Sequence, residues 1–249
     1  MNLKSSYYFQ INEYKMPVLI YYLVIVSAYT FFLFSNIEMV NSHPGSSASL
    51  NGMNIATAVF LFISSLTAFK DNLGMMLQNG VSRKTLFLGR LLTMTTLALL
   101  LSIVEDILLI IFQLSVSAFT QNLSINNAFC NYYSNSYYQH IDSFSHLSMF
   151  LLLNLAMFLF FMAAGYLFAL IFHRLNKAVN IALCIGIPVV CFIILPLLNN
   201  RMNGAIGKCL LNFFAYTLGG KWNAFFSFTI AALLLSALTW LPLRRVRVK

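Results

Sequence analysis

The sequence predicts an all-α integral membrane protein with six transmembrane helices. The 249-residue chain is 60% hydrophobic and has a mean hydropathy of +0.80. Charged residues make up only 8% of it, against about 25% in soluble domains. So little polar surface cannot keep a globule in water, and we expect the bilayer to be the solvent. Helices are expected because a spanning backbone must satisfy its own hydrogen bonds.

Six apolar runs approach the roughly 20 residues that a helix needs to cross the hydrocarbon core. The second run is the shortest and the third is the longest. In chain order they cover 17–37, 53–69, 91–119, 147–172, 179–198 and 223–243.

The N-terminal segment 1–16 is polar but patterned. Its apolar residues recur from Leu3 to Tyr14 at steps of four, four and three, which places them on one helix face. An interfacial helix is one interpretation, with Lys4 and Lys15 facing headgroups. A frayed tail is the other.

The distribution of Lys and Arg indicates the orientation of the chain. With the N-terminus in the cytosol, twelve basic residues fall on the inside and three, Arg201, Lys208 and Lys221, on the outside. Basic residues favour the cytosolic side. We therefore expect a multi-pass plasma-membrane protein with both termini cytosolic. The net charge of +9 follows from this topology and calls for no nucleic-acid partner.

Two long segments are predicted to lie outside the cell. Residues 120–146 are polar and rich in Asn and Tyr, whereas 199–222 contain the apolar stretch KCLLNFFAYTL. That stretch is too short to span, so it indicates a re-entrant or interfacial hairpin, with an ordinary folded loop as the alternative. A disulfide between Cys130 and Cys209 stays open. The few His and Asp residues of the first segment are not enough for a metal site.

The segment 70–90, KDNLGMMLQNGVSRKTLFLGR, lies between the second and third runs. Asp71 or Asn72 can cap the start of a short helix, LGMMLQ. Gly80 can supply the left-handed residue that ends this helix. Ser82 can cap the next helix, which continues into the third span. The pattern predicts a short helix and a sharp turn at the cytosolic face.

This short helix is expected to expose methionines. Met75 and Met76 suit the groove of a partner protein, because methionine adapts to irregular surfaces. Arg83 and Lys84 add positive charge for that partner or for lipid headgroups. The alternative is a basic anchor that only fixes topology.

These features together resemble the permease subunits of bacterial type-2 ABC exporters. The resemblance rests on six spans, an amphipathic N-terminus, the phrase LGMMLQNGVSRKTLFLGR between spans two and three, and an apolar hairpin before span six. It implies a coupling helix that docks on a separate ATPase, two copies of that ATPase carrying ATP and Mg²⁺, and a second permease copy, identical or a sister chain. The expected contact residues are Asp71, Met75, Met76, Gly80, Val81, Arg83 and Lys84.

The chain itself is expected to be non-catalytic and to bind no cofactor. It lacks the G-x-x-x-x-G-K-[ST] phosphate loop, and GAIGKC at 204–209 has the wrong spacing. By the same resemblance, the expected function is export of an amphipathic or hydrophobic substrate, such as an antimicrobial peptide or toxin. A non-transporting membrane immunity protein is an alternative.

Glu105 and Asp106 lie at the middle of the third run. An ionised acid at that depth costs a few kcal/mol, about 3 on insertion scales, and by default suggests a function. Three interpretations stay open. The acids line a substrate path or dimer interface together with Asn154, or they form a structural pair satisfied by Ser102, Asn154 or another helix. The third is a proton-coupled secondary transporter.

Overall fold

The computed structural model describes residues 3–42, 48–119, 123–126, 144–175, 179–180, 182, 186, 189–202 and 204–243. The described residues form seven α-helices and two four-residue strands. The helices are α1 (Leu3–Ser42), α2 (Met53–Gln78), α3 (Arg83–Phe119), α4 (Phe144–Arg174), α5 (Leu195–Arg201), α6 (Ala205–Leu218) and α7 (Lys221–Leu243). The strands are β1 (Ala48–Asn51) and β2 (Leu123–Asn126), and a π-helical turn, Val190–Ile194, leads into α5.

Four of these helices are long and apolar enough to cross a membrane: Leu3–Ser35, Arg83–Ser115, Leu147–His173 and Lys221–Leu241. They correspond to the first, third, fourth and sixth predicted spans. In place of the second span the structure has the shorter apolar segment Met53–Ala68 of α2. Of the fifth predicted span, 179–198, the structure describes residues 179, 180, 182, 186 and 189–198, and none of the four long apolar helices covers it. A helical membrane protein is therefore supported, and the number six stays a prediction.

The first helix corrects the expected boundary after residue 16. Helix α1 continues without a break through Pro17, so the N-terminal segment is not a separate interfacial helix. Ser6 and Gln10 are almost fully buried. Gln10 Nε2 donates a hydrogen bond to the carbonyl oxygen of Leu86 at 3.4 Å. This polar contact holds the start of α1 against the start of α3.

Helix α4 lies at the centre of the bundle and packs against α2, α3 and α7, while α1 packs mainly against α3. Leu61, Leu153, Phe158 and Met162 are fully buried in this core. The contact between α2 and α4 is close at Gly165. A Cβ atom there would lie 3.0 Å from Ser65 Cβ and would also strike the backbone oxygen of Phe62.

The two strands show which helix ends lie together. Strands β1 and β2 pair in parallel, with Ala48 opposite Leu123 and Asn51 opposite Asn126. The ends of α1 and α3 and the start of α2 therefore share one end of the bundle. The connection between α2 and α3 lies at the opposite end, beside the start of α1. Apart from β2 and the start of α4, the predicted outer loop 120–146 lies outside the described residues.

The predicted hairpin 199–222 contains two consecutive helices. Gly204, with φ of +79°, turns the chain between α5 and α6. The Asn199 Oδ1 atom accepts a hydrogen bond from the Gly207 N–H at 2.7 Å, which fixes the turn. None of the side chains of α6 is buried. Cys209 on α6 is an exposed free thiol, and Cys130 lies outside the described residues.

Candidate functional site

Glu105 and Asp106 are neighbours on α3 and are both buried, with 4% and 6% of their surface exposed. Consecutive residues of an α-helix point about 100° apart, so the two carboxyls have different partners. Glu105 contacts α1 and α2, and Asp106 contacts α4. The two acids therefore face different helices.

Glu105 accepts hydrogen bonds from hydroxyl groups of two helices. Thr57 on α2 donates to Glu105 Oε1. Tyr22 on α1 donates to the same oxygen at 3.5 Å. The hydroxyl of Tyr21 lies 2.8 Å from Thr57 Oγ1 and extends this chain of polar groups. Neutral hydroxyls therefore surround Glu105, and they stabilise its oxygen without neutralising a charge.

Asp106 is held by an amide instead. Asn154 Nδ2 on α4 donates to Asp106 Oδ1 at 3.2 Å, and Asn54 Nδ2 on α2 donates to Asn154 Oδ1 at 3.2 Å. The other oxygen, Asp106 Oδ2, is buried and has no hydrogen-bond partner. The predicted link between Asp106 and Asn154 is present, whereas the Ser102 hydroxyl bonds to the Leu99 carbonyl of its own helix.

These residues form one polar layer across four helices, because Asn54 and Thr57 lie one turn apart on α2. We name it the acid layer; it consists of Tyr21, Tyr22, Asn54, Thr57, Glu105, Asp106 and Asn154. Stacked ring pairs lie beside it. Tyr21 stacks on Phe60, with ring centres 4.2 Å apart, and Tyr29 stacks on Phe112 at 4.7 Å.

A second buried polar group lies nearer the start of α3. Arg90 is only 3% exposed. Its guanidinium carbon lies 5.2 Å from the ring centres of both Tyr14 and Tyr166, and Nη2 donates to the Ser65 carbonyl oxygen at 3.4 Å. We name these four residues the arginine cluster. The cluster joins α1, α2, α3 and α4. From the sequence, Arg90 was only one of the basic residues that indicate the cytosolic side.

The connection between α2 and α3 differs in part from its prediction. Helix α2 is continuous from Met53 to Gln78, so the expected helix start at Asp71 or Asn72 is wrong. Leu, Met and Gln favour helix, and residues 69–78 contain no proline that would end it. The end of the helix agrees with the prediction, since Gly80 has a φ of +72°. The Ser82 hydroxyl accepts a hydrogen bond from the Thr85 N–H at 3.1 Å, as a capping residue does.

The expected contact residues separate into two groups. Met75, Gly80, Arg83 and Lys84 are exposed. Met76 and Val81 are 2% and 3% exposed, so they lie in the core rather than on a docking surface. Two side chains of α1 cover the sulfur of Met76, with Ser6 Oγ at 3.7 Å and Gln10 Nε2 at 3.6 Å. Asp71 lies in α2, and its side chain lies outside what the structure describes.

Comparisons of the chain with protein-family models, with curated proteins and with solved structures find no match. The candidate sites therefore rest on their geometry. In the described part of the chain, no three His, Cys, Asp or Glu side chains are grouped to hold a metal ion. The sequence interpretation missed Tyr21, Tyr22, Asn54 and Thr57. The spacing of Asn54 and Thr57, three residues apart in an apolar run, was the available signal.

Proposed function

We propose that this chain is the transmembrane permease subunit of an ATP-driven exporter, and that a separate ATPase docks on the connection between α2 and α3. The observation that carries the proposal is the combination of exposed apolar surface and positive charge on this connection. It presents Met75, with 56% of its surface exposed, beside the exposed cations Arg83 and Lys84. An apolar side chain flanked by positive charge suits a groove with an acidic rim.

The rigidity of the connection favours docking over a simple anchor. The Asn79 N–H donates to the Met75 carbonyl at 3.1 Å, and the Val81 N–H donates to the Met76 carbonyl at 3.0 Å. Val81 inserts into the core immediately after Gly80. A topology anchor needs positive charge but no fixed shape. A docking surface that transmits force needs positive charge and a fixed shape.

The connection is also attached to other helices. Met76 contacts Ser6 and Gln10 of α1, and Gln10 contacts Leu86 of α3. A push on the connection would therefore move α1, α2 and α3 together. In an exporter, this is the route by which an ATPase outside the membrane would shift helices inside it.

The proposal includes a second permease copy and a greasy cargo. Helices α1 and α7 lie at the outside of the bundle and expose large apolar side chains, among them Leu23 and Phe31 on α1 and Leu233 on α7. These faces suit lipid, a second permease and a hydrophobic or amphipathic peptide. The cargo class rests on this apolar character and on the family resemblance.

The test is co-purification from mild detergent, with mass spectrometry of the bound proteins. The docking variants are Met75→Glu and the double variant Arg83→Glu/Lys84→Glu. The matched control is Arg201→Glu/Lys208→Glu, which reverses two exposed cations in the segment predicted to lie outside the cell. We expect an ABC ATPase to accompany the wild type and the control, and to be reduced at least tenfold with both docking variants.

Two results would contradict the proposal. One is the absence of any ATPase even after crosslinking. The other is equal loss of the ATPase with the control pair, since that would show a general effect of charge. A nucleotide-independent export that persists on a proton gradient would favour the secondary transporter instead.

A further inference from the structure

We propose that the acid layer binds a small monovalent cation, either a proton or Na⁺, at Asp106 next to Glu105. The proposal does not depend on the exporter function, because it concerns the charge of a buried site. Three observations carry it: the charge of the layer, an open position on Asp106, and the burial and ligand type of the surrounding groups.

The first observation is charge. Among the described residues, the groups that bond to the two acids are the hydroxyls of Tyr22 from α1 and Thr57 from α2, and the amide of Asn154 from α4. Behind them, Tyr21 bonds to Thr57 and Asn54 bonds to Asn154. Tyr29 of α1 also lies close to Glu105. None of these is a cation, and on α3 itself Arg90 is 15 residues away, about 22 Å along the helix.

Two uncompensated carboxylates at the centre of a membrane helix are costly. Hydrogen bonds from neutral hydroxyls and amides lower this cost without removing the charge. A cation that enters the layer removes it directly.

The second observation is the open oxygen. Asp106 is 6% exposed, and its Oδ2 atom has no hydrogen-bond partner. Buried polar atoms in folded proteins nearly always have a partner. Because Asn154 already occupies Oδ1, Oδ2 is the free position for a proton or for a bond to a metal ion.

The third observation is burial and ligand type. Glu105 and Asp106 are nearly inaccessible, and Thr57 and Asn154 are fully buried. An organic cation cannot enter without separating the helices. The layer offers only oxygen ligands besides the amide nitrogens, and oxygen is the ligand that hard cations prefer. A proton needs only Oδ2, whereas Na⁺ would use several oxygens of the layer.

The experiment uses the full chain purified in detergent micelles. In the sodium arm, NaCl replaces choline chloride at fixed pH and ionic strength, and thermal unfolding is recorded. Binding of Na⁺ would raise the unfolding midpoint by roughly 5 °C at about 100 times its Kd. In the proton arm, infrared spectroscopy at neutral pH and without sodium looks for the carbonyl band of a protonated carboxylic acid.

The variants assign the signal. Asp106→Asn and Glu105→Gln keep the size of each side chain and remove the acid, so each is expected to remove the sodium shift or its part of the carboxyl band. Ser102→Ala is the control, since its buried hydroxyl bonds only to the backbone of its own helix, and it is expected to leave both signals unchanged.

The wild-type arms decide the matter even if a variant fails to fold. A sodium shift identifies Na⁺, and a carboxyl band without a sodium shift identifies the proton. The proposal is overturned if the wild type shows neither signal, or if the signal survives in both Asp106→Asn and Glu105→Gln.

Discussion

The arginine cluster and the acid layer are buried to the same degree on one helix, yet they accommodate charge in different ways. Arg90 is 3% exposed and Glu105 is 4% exposed. The guanidinium lies over two tyrosine rings, whereas Glu105 receives only hydroxyl groups. A planar, delocalised cation is weakly hydrated and is stabilised by aromatic faces. A carboxylate is not stabilised by aromatic faces in this way.

The difference suggests different roles for the two sites. Arg90 Nε and Asp106 Oδ2 are both buried without a hydrogen bond. In the arginine cluster the rings still contact the charge, so the cluster is electrostatically complete and acts as a clamp between helices. In the acid layer Asp106 Oδ2 has no hydrogen-bond partner, and it can accept a further positive group. Four substitutions test this contrast.

The largest effect is expected from Gly165→Ala, which disrupts the contact between α2 and α4 next to the arginine cluster. The new methyl group would strike the Phe62 carbonyl and lie 3.0 Å from Ser65 Cβ. Because backbone cannot move aside as a side chain does, α2 and α4 must separate. We expect a loss of about 3 kcal/mol in the free energy of unfolding in mixed micelles. Gly220→Ala is the control, since its Cβ would meet no atom closer than 3.7 Å.

Arg90→Lys is expected to cost about 2 kcal/mol, because an ammonium group cannot lie flat between two rings. The same unfolding measurement applies. Tyr14→Phe is its control: the Tyr14 hydroxyl has no hydrogen-bond partner and the ring is kept, so stability is expected to stay nearly unchanged. A Lys variant as stable as the wild type would show that charge alone holds the cluster.

Thr57→Val is expected to cost about 1 kcal/mol, within the range measured for hydrogen bonds inside membranes. The change keeps the shape of the side chain and removes the donor to Glu105. Thr57→Ser keeps the hydroxyl and serves as the control. If Val and Ser destabilise the protein equally, packing rather than hydrogen bonding explains the role of Thr57.

Tyr22→Phe is expected to have the smallest effect, roughly 0.5 kcal/mol. Its hydroxyl lies 3.5 Å from Glu105 Oε1, which is the long end of the hydrogen-bonding range. An effect as large as that of Thr57→Val would mean that Tyr22, rather than Thr57, is the main donor to Glu105.

Length and hydropathy were enough to predict the four helices that are long and apolar enough to span a membrane. The turn at Gly80 and the cap at Ser82 were also predictable, because both depend on local chemistry. The helix start at Asp71 or Asn72 was predicted wrongly. A capping residue is only a preference, and helix α2 continued because no residue in 69–78 interrupts it.

The polar sites were predictable only in part. Glu105 and Asp106 stood out as acids within an apolar run, and Asn154 was named as a partner. Their other partners depend on how four helices pack, which the periodicity of one helix does not specify. Arg90 shows the same limit, since a basic residue at the end of a span looks like a topology signal until Tyr14 and Tyr166 enclose it.

Pro17 has a mechanical consequence for helix α1. It lies between Tyr14, which belongs to the arginine cluster, and Tyr21, which belongs to the acid layer. A proline inside a helix removes one backbone hydrogen bond and weakens the helix at the preceding turn. The two sites therefore contact α1 on either side of a position where the helix bends more easily. The N-terminal part of α1 can move with the connection between α2 and α3, while Tyr21 keeps its contact with Thr57.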